Sequence, residues 1–401
     1  AYAQGYVHRN PDPWRFFLSV GAVSNINRDI FRGEIPFWND MSAHGTYDGF
    51  WKSRSVPQHM THVKPAVMVV GGLFDAEDFY GPLAIYHAIE EKNPGASNML
   101  VVGPWFHGGW ARSSGEELGN IGFGSKTSDY YRDSIEAVFF RSYLKENVAP
   151  GLPEALVFQT GSNVWKRYDA WPPANLEPKK LFFHAGGKLS FLPPEASEPA
   201  FDEYVSDPSK PVPYTQEIHT NRNREFMTED QRFAFYRPDV CSYESRALDE
   251  DLTVSGPVTV DLSVSTSGSD ADFIVKVIDV LPDDTPEMPR RQKHLPMGGY
   301  QFPVRMDIMR GKFRNSYEKP EAFAPGEATH VRFRLNDINH RFLKGHRIMV
   351  QVQSSWFPLV DRNPQKFVDI YHASDGDYEK AIHRIYHAPG KASSIEIGIA
   401  R

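Results

Sequence analysis

A single cysteine, Cys241, stands among 401 residues, so no internal disulfide framework can form. No run of about 18 consecutive apolar residues occurs, which excludes a membrane-spanning helix. Charge of one sign is not in excess either. Lys plus Arg number 44 against 51 Asp plus Glu, and the net charge of −7 argues against the basic footprint of a nucleic-acid binder. A charged fraction of 24% beside 40% hydrophobic residues excludes disorder driven by charge. Internal repeats and low-complexity tracts are missing. The first residues, Ala1-Tyr2-Ala3-Gln4, include no Met, no basic stretch and no apolar stretch, so they read neither as a natural start nor as a signal peptide. The expectation is a chain that begins inside a longer polypeptide or has lost a leader. What is abundant is proline, 31 residues, and aromatic side chains at 13%, which predict many turns and ring-rich contact surfaces.

Along the chain three styles follow one another. Residues 1–60 are aromatic and polar with short helical stretches: Asp12-Pro13-Trp14 turns into Arg15–Ser24, and Tyr47–Trp51 closes a small helical piece. In residues 61–150, Ala66–Val70 is a continuous β-branched run, the mark of a strand buried on both faces. Gly81-Pro82 then starts a helix with Leu83, Tyr86 and Ile89 at helical spacing, ended by Asn93-Pro94-Gly95. Asn98–Val102 gives a second buried strand, and about 128–145 a longer helix with Tyr131, Ile135, Val138, Phe139 and Ser142 on one face. Strand–helix–strand–helix with short links demands a parallel sheet, and two parallel strands are too few to form one. The remaining strands are therefore expected outside this sequence.

Residues 151–401 read as all-β. Ala155–Thr160, Lys180–His184, Val258–Thr266, Phe273–Val280, Ala328–Leu335 and His346–Ser354 are the predicted strands. Val260-Asp261-Leu262-Ser263-Val264 alternates strictly, predicting one dry and one wet face. The fold class expected is α/β plus all-β: a small helical piece and one edge of a parallel α/β domain, followed by a β-sandwich of jelly-roll type.

Two segments carry the sharpest chemical signal. Gly71-Gly72-Leu73-Phe74-Asp75-Ala76-Glu77-Asp78 and Gly103-Pro104-Trp105-Phe106-His107-Gly108-Gly109-Trp110 each follow the carboxyl end of a predicted strand, the rim where open parallel sheets bind ligands. Neighbouring strands would bring Asp75 and His107 together. A carboxylate beside an imidazole fixes its tautomer and stabilises the imidazolium, which is the orienting half of a nucleophile–His–Asp triad. In the order Ser, Asp, His the nucleophile comes first, on a Gly-x-Ser-x-Gly elbow. No such elbow occurs in these 401 residues, so the serine is expected upstream of residue 1 and this chain alone is expected to be catalytically incomplete. The competing reading is a solvated Asp in a strand–helix loop and a His bonded to local backbone.

The segment Gly71–Asp78, the Gly-Pro-Trp-x-His-Gly setting of His107 and Tyr47–Trp51 resemble the α-amino-acid ester hydrolases, which group with cocaine esterase, glutaryl-cephalosporin acylases and X-Pro dipeptidyl peptidases. Trp165…Trp171-Pro172-Pro173, Asp207-Pro208…Pro211-Val212-Pro213 and Ser267–Phe273 look like the C-terminal jelly roll of that group. The resemblance spans nearly the whole chain and implies, in order, part of a helical cap, a partial α/β-hydrolase domain and the jelly roll. It implies a serine hydrolase acting on α-amino-acid esters or amides, with Asp75 and His107 as triad members, Glu77 and Asp78 as part of an acidic cluster for the substrate ammonium, and no cofactor. It makes a periplasmic or secreted location plausible. Carboxylates near a pocket attract a cation by roughly 4 kcal/mol at 4 Å and an effective dielectric of 20, and repel a glutaryl carboxylate equally. Acidic residues before a helix also simply favour its dipole, by about 0.3–1 kcal/mol.

Trp105 and Trp110 flank His107 and are candidate walls for an aromatic acyl group, although large rings serve cores equally well. His59-x-x-His62 lacks further ligands, and Asp279…Asp283-Asp284 resembles a calcium loop only loosely and reads better as a solvated turn, so no metal site is assigned. The partners expected are a small-molecule or short-peptide substrate and the protein's own upstream segment, with a homo-oligomer allowed and nucleic acid excluded. Alternatives remain a glutaryl acylase, an X-Pro dipeptidyl peptidase, or a non-enzyme whose β domain binds carbohydrate through aromatics such as Trp356 and Phe357.

Overall fold

The computed structural model describes residues 10–146, 148–196, 200–287 and 296–400. Ala1–Gln4 and the start of the helical piece lie outside them. Strands β1 (Val67–Gly72) and β2 (Asn98–Gly103) pair in parallel, in register from Val67 opposite Asn98 to Gly72 opposite Gly103. Successive side chains of a strand point to opposite faces, and β2 uses both. Met99 and Val101 pack with Tyr131 and Ile135 of the helical segment 127–146. Leu100 and Val102 pack with Leu83 and Tyr86 of a helix that spans Tyr80–Lys92. Two dry faces are what an uninterrupted apolar strand requires.

The sheet contains more than the two strands expected. β3 (Ala155–Gln159) pairs in parallel with β2, and β4 (Val164–Tyr168) runs antiparallel to β3, giving the order β1-β2-β3-β4. Ala155–Gln159, read from the sequence with the strands that follow it, is thus hydrogen-bonded into the parallel sheet. This run is wholly buried, which suits the middle of a parallel sheet as well as a sandwich, and periodicity cannot separate the two. Past its end, the Thr160 backbone N–H donates to Asn339 O at 3.0 Å and Arg341 N–H donates to Thr160 O at 2.9 Å, joining this sheet to the next.

Eleven further strands are hydrogen-bonded into one set that folds as a β-sandwich. Its spine is β9 (Leu252–Thr266), flanked by Thr329–Phe342 and Ser394–Ala400. Strands Glu177–His184, Lys188–Ser190, Phe201–Ser206 and Val240–Glu244, β5 to β8 in chain order, precede it. Val258, Val260, Leu262 and Val264 are fully buried, as the alternation predicts. Ser263 departs from it: the expected wet face is closed there because Ser393 covers it, Ser263 N–H donating to Ser393 Oγ at 3.0 Å. The helical piece at residues 10–60 rests on the sandwich. Asp12 caps the helix Pro13–Val20 by accepting from Arg15 N–H, Trp14 meets Phe357 edge-on at 6.1 Å, and Ala22 N–H donates to Asp375 at 2.6 Å. Among the described residues no helix is long and apolar enough to cross a membrane.

Candidate active site

β1 and β2 end side by side, and the loops leaving them carry the site. Gly72 and Gly103 face each other at the last pair of the register. A β-carbon on Gly72 would collide with the Trp105 carbonyl and one on Gly103 with the Trp105 indole, so the chain can fold Trp105 back over the strand ends only with glycine at both places. Trp105 is 1% exposed, its indole N–H donating to Thr127 Oγ1 at 2.9 Å, and it packs against Trp110, Tyr131 and Trp165. Its role as an acyl-pocket wall is therefore corrected. It is core, and it sets the direction in which the next residues leave.

Those residues deliver His107 to Asp75. The imidazole Nδ1–H donates to Asp75 Oδ2 at 2.9 Å. Asp75 Oδ1 accepts from the backbone N–H groups of Glu77 and Asp78, at 2.8 and 3.0 Å. Three donors on one carboxylate fix its plane. The Asp75 side chain is 2% exposed and that of His107 47%, so the acid is sealed beneath an imidazole that still meets solvent. With Nδ1 committed to Asp75, Nε2 is the nitrogen free to take a proton. On the other side, Gly108 turns the chain with φ +69°, and Arg112 donates to the His107 carbonyl at 2.8 Å.

The remaining predicted residues separate. Glu77 stays at the site, with Oε2 3.9 Å from His107 Nε2. Asp78 accepts from Gly81 N–H at 2.6 Å through Oδ1, capping the first turn of the following helix. Trp110 is half-buried and lies edge-on to His107, with ring centroids 6.4 Å apart.

Three contributors from the sandwich have no signal in the local sequence. Arg222 donates to Glu77 Oε1 at 2.5 Å, and the Arg224 guanidinium lies 3.7 Å over the ring of Phe106, next to His107. Arg305 is buried. It donates to the carbonyls of Leu73 and Asp337, both at 2.8 Å, and lies 4.6 Å over the Phe79 ring. Burial pushes its guanidinium down to about 10. Arg305 thus ties the loop that holds Asp75 to the sandwich. Arg305→Met leaves two buried carbonyls without a donor and is expected to cost about 1–3 kcal/mol. A lower urea midpoint at unchanged slope would show it; an unmoved midpoint would remove the clamp.

Elsewhere the sequence candidates dissolve. Asp279 is neither a calcium ligand nor a solvated turn: it is buried, accepting from His340 Nε2 at 3.1 Å and His346 Nδ1 at 2.8 Å. Two imidazole donors hold its carboxyl below the usual range despite burial. No cluster of three potential metal ligands exists among the described residues, His59 and His62 included. Trp356 and Phe357, proposed for carbohydrate, are 6% and 4% exposed and belong to the interior.

Residues 147–396 match the family described as X-Pro dipeptidyl-peptidase C-terminal non-catalytic domain, and residues 5–109 match the X-Pro dipeptidyl-peptidase (S15 family). Cocaine esterase from Rhodococcus sp. (strain MB1 Bresler) is 27% identical over 396 residues, which are 95% of this chain and 65% of that protein. The structure of an aminopeptidase from a marine sediment archaeon, Thaumarchaeota archaeon, is similar with 38% identity and a TM-score of 0.92, covering 99% of this chain and 65% of that one. An α-amino acid ester hydrolase structure aligns with 36% identity and a TM-score of 0.93, covering 99% and 66%. The chain spans about two-thirds of the length of these relatives.

Proposed function

We propose, from the premise that this chain belongs to the X-Pro dipeptidyl-peptidase (S15) family of hydrolases, that it carries the acid–base half of a serine acyl-transfer site for substrates with a free α-amino group. The observation that carries the reading is the 2.9 Å bond between His107 Nδ1 and a sealed Asp75, which leaves Nε2 available at a half-exposed rim. No Gly-x-Ser-x-Gly elbow occurs among these residues, so in this reading the nucleophilic serine comes from polypeptide outside them. His107 Nε2 takes the serine proton as Oγ attacks the acyl carbonyl, then gives it to the departing alkoxide or amine. Water, or an acceptor amine, attacks the acyl-enzyme by the same relay in reverse. Asp75 keeps the imidazole in the right tautomer and stabilises its cationic form. Glu77, beside Nε2, receives the substrate ammonium. Asp78 contributes by capping the helix rather than by touching substrate, and Trp110 walls the acyl side. The jelly-roll sandwich supplies the Arg305 clamp that supports the loop.

Ester and amide substrates both fit this reading, since the name of the archaeal aminopeptidase points to amides and those of the two hydrolases to esters. A peptide cut by an aminopeptidase and an α-amino acid ester both present an α-ammonium. In the full-length protein, Glu77→Gln is expected to raise KM for an α-amino ester roughly 10-fold, while leaving the matching ester without the amino group unchanged, as removal of one charged contact would. Equal changes for both esters would remove Glu77 from substrate recognition. Failure of a serine-reactive phosphonate to label the full-length protein would remove the serine mechanism itself.

A further inference from the structure

Glu77 is already occupied by a cation of the protein's own. Arg222 lies 145 residues away, in the connection between β7 and β8, and its guanidinium donates to Glu77 Oε1 at 2.5 Å while Oε2 of the same carboxylate sits 3.9 Å from His107 Nε2. The backbone immediately after Arg222 is anchored. Asn223 N–H donates to the Tyr214 hydroxyl at 3.0 Å, Asn223 Oδ1 accepts from Glu225 N–H at 2.7 Å, and Arg224 stacks on Phe106. The ion pair itself is loose by contrast, with side chains 45% and 47% exposed. A pair that meets solvent on this scale is weak and readily exchanged. A rigid mount therefore carries an exchangeable cation that meets the catalytic imidazole's acidic neighbour.

We propose that Arg222 is a specificity-determining residue, an internal counter-ion that holds the ammonium seat on Glu77 and is displaced when an α-ammonium substrate binds. When the acyl group has no ammonium, Arg222 keeps the seat. Its guanidinium then neutralises Glu77, so the rim next to His107 is not left with a bare carboxylate in the free enzyme. The amino-substrate exchanges one cation for another, and its apparent affinity is reduced by that competition. This proposal rests on Glu77 being the ammonium anchor.

The test uses full-length Arg222→Gln and Arg222→Lys with three acyl esters of matched size: α-amino, unsubstituted and glutaryl. It also uses an α-amino alcohol and its deaminated counterpart as competitive inhibitors, so that binding is read apart from turnover. Losing a competitor of surface-pair strength is expected to lower KM for the amino ester and Ki for the amino alcohol by about two- to five-fold. The unsubstituted ester and the plain alcohol stay unchanged, and Arg222→Lys, which keeps the charge, stays near wild type. An unchanged or raised KM for the amino ester overturns the proposal. So does a rise confined to the glutaryl ester, which would make Arg222 an anion anchor instead, and so does a uniform rise across all three, which would make it a support for its loop. If Glu77→Gln leaves amino-ester binding untouched, the anchor reading itself has failed. If Glu77→Gln weakens it and Arg222→Gln changes nothing, the anchor stands and the counter-ion falls.

Discussion

Replacing His107 by Ala in the full-length protein is expected to abolish the acylation burst with a chromogenic amino ester and to lower kcat roughly 10⁴- to 10⁶-fold, the range for loss of a triad base. The geometry explains the size. Nδ1 is held by Asp75 at 2.9 Å, so Nε2 is the single position on that ring able to exchange a proton with an attacking hydroxyl. Glu77, 3.9 Å from Nε2, cannot replace it, because in this reading its carboxylate holds the substrate ammonium. Asp75→Asn makes the companion test. Its amide oxygen still accepts from the Glu77 and Asp78 backbone N–H groups, so the loop is retained, while its NH₂ faces Nδ1 and forces the proton onto Nε2. An imidazole with Nε2–H cannot serve as the base, and kcat is expected to fall roughly 10⁴-fold with KM and the unfolding midpoint little changed. A surviving burst in His107→Ala would refute the assignment. A large stability loss in Asp75→Asn would show that the carboxylate is mainly structural.

A second large effect concerns stability and lies inside the sandwich. Lys276, on the strand Asp272–Val280, is 0% exposed, and its ammonium donates to Gln231 Oε1 at 2.8 Å. Burial pushes its pKa down from 10.5 to about 7, against the opposing pull of Glu229. The sign follows from where protons bind. Between pH 7 and 10.5 the unfolded chain holds a proton on Lys276 that the folded chain has released, so stability rises with pH across that window. Below pH 7 both states carry the proton and the folded one bears the full cost. A shift of this size corresponds to about 5 kcal/mol. Lys276→Met keeps the volume and removes the titration, so the stability of the wild type relative to the variant should rise by about that amount from pH 6.5 to pH 10.5. Near neutral pH the variant is expected to be the more stable, less about 1–3 kcal/mol for the Gln231 oxygen left without a donor. Curves that run parallel over this range would show that Lys276 keeps its ordinary pKa through routes such as solvent entry.

Some of this was written in short stretches of chain. Asp75 and His107 could be paired from the sequence because each follows a β-branched strand by a few residues, with glycine on the turn, and only 32 residues separate them. The buried face of the segment 127–146, Tyr131, Ile135 and Phe139 with Ser142, was equally legible, since four-residue spacing repeats whatever the helix packs on. Trp105 and Trp110 show where such reading stops. Both are indoles in one eight-residue motif. One is sealed against Thr127 and the other stands by His107, and nothing within the motif distinguishes them. Asp279 had the look of an acidic turn because the two histidines that enclose it are 61 and 67 residues away.

The amino-acid order alone determined the strands, the helix between them, the two glycine-hinged turns and the chemical types poised at their ends. These depend on side-chain periodicity and backbone freedom, which act over a few residues. Tertiary structure alone decided that Ala155–Gln159 would extend the parallel sheet, that Arg305 would brace the Asp75 loop from 232 residues away, and that Arg222 would reach Glu77. Burial and ion pairing are set by whichever surfaces the packed chain brings within a few ångströms, and those neighbours are fixed by the whole arrangement of elements.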